Sequence, residues 1–287
     1  MPTENTHLYF ADRIAKINEN CRPAVKHHLN SFYLGSIYPD TFYWTSRKRV
    51  RDIFIFIHKS SGKPLRNLIF GWLDAVKRNQ IEKELVFLFG FLTHCALDSV
   101  FHPAINSIAG NVFDENPEKR KEAVYMHAYV ECYIDNQFNI NSFFKVLNIS
   151  EIKKLAGIEF FAQRFSVKKG NLYSAFRKQK VNNLMYKNRM AYHMVFFLKK
   201  FNLCPLLSLS YFDEILKKDQ RKIGSIIKYR HPSTGKLVEK TFDDLFVEAE
   251  TQTADWFAAA DQYYNGKLLR EECEKIIDGR NLITGTV

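Results

Sequence analysis

Long stretches of this chain repeat apolar residues every three or four positions, the spacing that gives an α-helix one buried face. That spacing predicts helices near residues 7–20, 22–34, 64–79, 81–102, 117–137, 142–155, 171–201, 208–226 and 241–265. Ser225 to Thr241 differs, alternating weakly around a Pro-Ser-Thr-Gly turn, and reads as a short exposed β-hairpin at about 225–241. Asn116 before Pro117 marks a helix start, since asparagine caps free amides and proline at the first position loses no hydrogen bond. The predicted class is all-α, a compact multi-helix fold with a small β-hairpin near the C-terminus.

No internal repeat and no Gly/Ser/Pro-rich linker interrupts the pattern, so residues 1–287 are expected to form a single domain. Phe201 to Pro205 is the best place for a subdomain break. The most apolar stretch, Leu85 to Ala109, contains His94, Asp98 and His102 and is broken by Pro103. A transmembrane segment there would bury three polar side chains without reward, so that reading is rejected. An N-terminus with neither a basic nor an apolar signal region leads to the expectation of a cytoplasmic protein.

Composition changes this picture little. An apolar fraction of 46% with 25 phenylalanines is ample for a packed interior. Five scattered cysteines, none in a CxxC pair, suit reduced thiols; Cys95 and Cys132 read as buried packing. Charge is uneven: residues 1–140 hold 17 Lys+Arg against 15 Asp+Glu, and 141–287 hold 25 against 16. A basic surface attracts phosphates, yet these cations are dispersed in ones and twos, as on solvated helix faces.

The histidines carry the candidate chemistry. His94, Asp98 and His102 stand at i, i+4 and i+8, which drifts only about 80° around a helix, so all three can point into one cavity. His127 and Glu131 repeat the spacing on the next predicted helix, with Asp135 one turn further. One histidine on an apolar helix is usually a hydrogen-bonded core residue. Here, however, the polar groups sit inside LVFLFGFLTHCALDSVFH, where burying them unpaired costs a few kcal/mol each and coordination removes that cost. Zinc takes neutral imidazole and carboxylate ligands and keeps a position for water at catalytic sites. His7, Asp40 in a loop after Pro39, and His58 ending the run IFIFI extend the set, though each alone is ordinary. His27, His28, His193 and His231 read as surface residues.

The ordered series Thr6-His7, Tyr38-Pro39-Asp40, His58, His94-x3-Asp98-x3-His102-Pro103 and His127-x3-Glu131 resembles the zinc-dependent phospholipase C family, distant kin of the three-zinc single-strand nucleases. The resemblance covers roughly residues 1–140 in motif detail, the expected metal-site part; the helical part from about 141 to 287, with HPSTGK and the helix after it, is similar less specifically. It implies a phospholipase C-like helical fold around two or three Zn2+ ions. By that analogy Asp40, His58, His94 and Asp98 hold one zinc; Asp98 bridges to a second held also by His7 and the N-terminal amine; His102, His127 and Glu131 hold the third. Asp40 would also orient the attacking water, as the catalytic residue, and Asp135 would stand behind the ligands. The spacing from Asp98 to His102 is shorter than in secreted members, as in the family's signal-less ones, and the chain begins Met1-Pro2 rather than with a mature tryptophan. Removal of Met1 would let Pro2 supply the amine, five residues before His7.

Metal ions suit phosphodiester hydrolysis by activating water and stabilising both entering and departing oxygens. No nucleophile elbow, P-loop or dinucleotide fingerprint competes. The expected activity is therefore zinc-dependent phosphodiester hydrolysis, with a phospholipid as one candidate substrate and contact with a membrane surface. Phe54, Phe56, Trp44 and Tyr43 are candidates for apolar surface beside the cleft. The alternatives are a nuclease-like hydrolase of single-stranded nucleic acid and a metal-binding protein without turnover.

Overall fold

The computed structural model describes residues 4–17, 22–112, 114–138, 140, 147–184, 193, 197, 223–232 and 234–287. Its axis is one apolar helix, α6 (Glu82–Ala109), in which every residue from Glu84 to Ile105 is buried. Among the described residues it is the one helix long and apolar enough to cross a bilayer, and its apolar window lies wholly inside the fold. Around it pack α1 (Glu4–Ile17), α3 (Leu29–Thr41), α7 (Pro117–Gln137) and α10 (Phe242–Tyr264). The short α2 (Arg22–His27), then α4 (Lys48–Lys59), α5 (Lys63–Asn79), α8 (Ala156–Arg164), α9 (Lys169–Leu184) and α11 (Arg270–Ile276) complete the helices described. The all-α class with a small hairpin holds.

The tightest crossing, α3 on α6, depends on two glycines. A Cβ on Gly35 would fall on the Phe87 carbonyl oxygen, and one on Gly90 on that of Phe32, so only glycine lets the backbones meet. Aromatic rings fill the space beside this crossing: Tyr38 lies 4.8 Å from both Phe42 and Phe161 and 5.1 Å from Phe87 between ring centroids.

Local signals set several boundaries. Asn116 accepts from the amides of Glu118 at 2.9 Å and Lys119 at 3.2 Å, so α7 starts where its cap predicts. Thr241 and Asp244 cap α10 reciprocally. The start of α8 is capped from a distance: Glu84 of α6 accepts from the amides of Ala156 at 2.6 Å and Gly157 at 2.9 Å. The hairpin pairs β1 (Ile227–Arg230) with β2 (Leu237–Lys240) in antiparallel register. It is less exposed than expected, because Ile227 and Tyr229 turn into the core.

Other expectations need correction. The helix after residue 22 breaks at His28 and restarts as α3, which runs on through Pro39 to Thr41, so Asp40 lies in a helix and not a loop. Proline there removes one ladder bond, and burial of Ser31 to Thr41 against α6 outweighs it. IFIFI is the second half of a helix, α4, whose buried Val50, Ile53 and Ile57 keep helical spacing. Of the helix predicted at 142–155, the described part is a 3-10 turn, Ile149–Lys154. Of the helix expected to reach 201, Lys169–Leu184 is described as helix and His193 and Phe197 are also helical, and that at 208–226 lies outside the described residues except 223–226, which are not helical. Neither α8 nor α11 was expected. Cys95, Cys132 and Cys273 are buried free thiols; Cys21 and Cys204 lie outside the described residues.

Candidate metal centre

Five helices carry the expected ligands to one buried place. α3 brings Asp40, α4 His58, α6 His94, Asp98 and His102, α1 His7, and α7 His127 and Glu131, all of them buried. Seven of the eight form two groups able to hold an ion, Asp40–His58–His94–Asp98 and His102–His127–Glu131, with His7 beside the first.

In the first group His58 Nε2 lies 3.2 Å from Asp40 Oδ1 and 3.3 Å from Asp98 Oδ2. His94 Nε2 lies 3.1 Å from Asp98 Oδ2 and 3.7 Å from Asp40 Oδ1. Ligands on a tetrahedral zinc at about 2.0–2.2 Å stand roughly 3.3–3.6 Å apart, so these separations suit a shared ion. The other oxygens face elsewhere: Asp98 Oδ1 lies 3.3 Å from His7 Nε2 and 3.8 Å from His102 Nε2, and Asp40 Oδ2 is 3.6 Å from His7 Nε2. Asp98 thus turns one oxygen to each side. In the second group His127 Nε2 and Glu131 Oε1 are 2.8 Å apart.

Four imidazoles are held from behind. The Nδ1 atoms of His58, His94, His102 and His127 meet the carbonyl oxygens of Phe54 (2.9 Å), Ser36 (2.9 Å) and Leu282 (2.6 Å) and Asn106 Oδ1 (3.1 Å) respectively. A carbonyl only accepts, so each Nδ1 carries a proton and each Nε2 faces inward. His7 stacks on His94 with ring centroids 3.9 Å apart and planes 10° from parallel.

Burial alone would raise the carboxyls, but the imidazoles around them prevail: Asp40 is held below the usual range, with His94 the largest influence, and Asp98 well below it, with His102 first. Burial pushes His7 and His127 down, and His102 to about 3. Burial lowers His58 too, but the Asp40 and Asp98 carboxylates beside its Nε2 outweigh it and carry the ring up to about 9.

Zinc fits this donor set. Both oxygens of Asp40 and Asp98, and Nε2 of His7, His58, His94 and His102, are buried without a hydrogen-bond partner. Two buried carboxylates left so would cost several kcal/mol, and a divalent cation among them removes the penalty.

Asp135 accepts a 2.5 Å hydrogen bond from Thr6, the residue before His7, and so ties α1 to α7 behind the ligands. Pro2 lies outside the described residues. Of the aromatics, Phe54 packs on His58 at 4.1 Å and Tyr43 on Phe54 at 5.4 Å. Trp44 donates to Glu4. Phe56 points away, to Phe165 at 5.4 Å, and is no part of a wall beside the site. His28, expected at the surface, is half-buried, 3.5 Å from Glu82.

Sequence reasoning missed Asn106, although it continues the four-residue series His94, Asp98, His102 on α6. It missed Leu282 as well, for which no local signal exists.

Helices that bring buried histidines and carboxylates together in two groups able to hold a metal ion define the candidate centre of a metalloprotein. The profile of the zinc dependent phospholipase C family matches residues 6–190, and the chain belongs to that family. The hairpin and α10 lie beyond the matched span. No curated protein and no solved structure matches the chain.

Proposed function

We propose that the protein hydrolyses phosphodiesters in the manner of a phospholipase C, with water attacking phosphorus in line. Asp40, His58, His94 and Asp98 would hold one ion, His7 with the second oxygen of Asp98 and the Pro2 amine another, and His102, His127 and Glu131 a third. Zinc, when bound, lowers the pKa of water and neutralises the non-bridging phosphate oxygens. The reading is carried by Asp98, whose oxygens divide between His58 and His94 on one side and His7 and His102 on the other.

Asp40, kept ionised by its imidazole neighbours, can accept a hydrogen bond from the attacking water and hold it in line. Phe54 and Tyr43 supply an apolar wall beside His58, which supports a lipid or another small phosphodiester. Tyr43 and Ile55, both 40% exposed, support contact with a membrane surface. Three of the nearby cations have partners: Arg47 with Asn171, Lys48 with Asp52 at 3.0 Å, and Arg51 with the Thr45 carbonyl at 3.3 Å. That argues against a basic channel for single-stranded nucleic acid beside this wall.

Zinc-loaded protein offered bis-p-nitrophenyl phosphate and phosphatidylcholine micelles should turn over both. Turnover of single-stranded DNA alone would move the substrate to nucleic acid, and turnover of nothing by metal-loaded protein would leave a binding protein. Asp40→Asn should lower the rate far more than the zinc content; equal loss of both would refute its role in orienting water.

A further inference from the structure

We infer that segment 278–287 is the positioning device of the group His102–His127–Glu131, so that the ion held there depends on this segment while the ion at Asp40–His58–His94–Asp98 does not. The inference rests on the metal reading of that group.

Two consecutive carbonyls of the segment orient both histidines. Leu282 O accepts from His102 Nδ1 at 2.6 Å. Ile283 O accepts from Asn106 Nδ2 at 3.0 Å, which turns Asn106 Oδ1 toward His127 Nδ1 at 3.1 Å. The Ile283 carbonyl cannot donate, so the amide of Asn106 has one orientation and His127 one tautomer. The histidines of the first group, by contrast, lean on Phe54 O of α4 and Ser36 O of α3, both inside helices.

The segment is itself anchored over α4, α5 and α6. Gly279 O accepts from Gly62 N at 2.9 Å, and Asn281 Nδ2 donates to the Lys59 carbonyl at 2.8 Å, next to His58. Asn281 Oδ1 accepts from the amides of Ile283 and Thr284, both at 2.9 Å, which folds the two carbonyls into place. Leu282 is fully buried. Gly279 and Gly285 have φ of +69° and +67°; a Cβ on the first would come 2.7 Å from Gly62 O, and one on the second 2.5 Å from Ser99 O. The chain therefore lies in a groove too shallow for side chains at these points. None of it falls within the family match to residues 6–190.

Partners behind a metal-bound histidine fix ring and tautomer, and losing one weakens metal affinity about 10–100-fold. Asn106 and the segment are positioning elements; neither touches an ion.

The test compares the full chain with Asn106→Ala, which leaves the segment intact, and with removal of residues 281–287. Each is titrated with zinc against a competing chelator, and each is loaded with cadmium for 113Cd NMR, where every occupied site gives its own resonance. His127→Ala in the full chain identifies the resonance of this group. Asn106→Ala should weaken one ion about 10–100-fold, shift or broaden that resonance alone, and allow the other His127 tautomer in 15N spectra. Removal of 281–287 should abolish the same resonance first. Asn106→Ala with unchanged affinities and an unchanged His127 tautomer overturns the inference, even if the deletion fails to fold. Equal weakening of every ion also overturns it, as a general loss of stability. A full chain whose ions are all indifferent to His127→Ala removes the metal reading of the group, and the inference with it.

Discussion

The group of Asp40, His58, His94 and Asp98 is oriented from within the helical crossing, whereas His102 takes its orientation from a carbonyl 180 residues further along the chain. The first group inherits its geometry from α3, α4 and α6, which carry both its ligands and the carbonyls behind them. The second is assembled only when a separate segment has docked. The candidate centre thus combines a group set by the core with a group set by its cover, and the two should fail under different perturbations.

The largest effect is expected at the crossing. Gly90→Ala places a methyl on the Phe32 carbonyl, and both partners are backbone in buried helices, so neither can give. Overpacking typically costs about 1–3 kcal/mol and more where nothing relaxes; about 3 kcal/mol or more is expected here. Chemical denaturation should show that loss, and zinc titration should show the Asp40–His58–His94–Asp98 ion weakened first. A variant that keeps the first ion and loses the second would break the division drawn above.

The two sites were also unequally legible in the sequence. The series His94, Asp98, His102 and the pair His127, Glu131 declare themselves because helical spacing is periodic, and α7 is bounded correctly because Asn116-Pro117 is a chemical start signal. Asp40 and His58 could be named through family resemblance, but Asp40 was placed in a loop and no helix was predicted around His58. Pro39 looked like a break until burial against α6 overrode it, and IFIFI offers an apolar residue at every position, which hides the three- and four-residue spacing of Val50, Ile53 and Ile57. The docking of residues 278–287 was invisible. A carbonyl is the same in every residue, so a contact made by Leu282 O leaves no trace in the sequence.

The next effect concerns the electrostatics on the Asp40 side. Glu4 is buried, accepts from Trp44 at 2.5 Å and Gln179 at 3.3 Å, and Gln179 in turn accepts from Thr41, beside Asp40, at 2.7 Å. Burial first, and Asp40 second, push the Glu4 carboxyl up to about 7 from an ordinary 4.5. A carboxyl raised on folding makes the folded state bind the extra proton, so its contribution is complete below about pH 4.5 and is lost as pH rises through about 7. Metal-free Glu4→Gln should therefore match the parent at pH 4.5 and exceed its stability by about 2–3 kcal/mol at pH 8. Zinc loading should trim that difference without removing it, because burial outranks Asp40 as the cause. A difference independent of pH would mean that Glu4 is ionised in the fold.

The smallest effect is expected where the two sides are tied together. Thr6→Val removes the hydroxyl that donates to Asp135 and keeps the shape, so α1, which carries His7, loses its bond to α7, which carries Glu131. A hydrogen bond to a charged acceptor contributes about 1.5–3 kcal/mol, and the lower end is expected because the isosteric methyl keeps the packing. Thermal denaturation should register that loss with the number of bound ions unchanged, since both groups keep their own carbonyl props. If Thr6→Val instead released the ion of one group, the bond between α1 and α7 would rank with the crossing and the docked segment as a determinant of the centre, and two independent modes of support would no longer describe it.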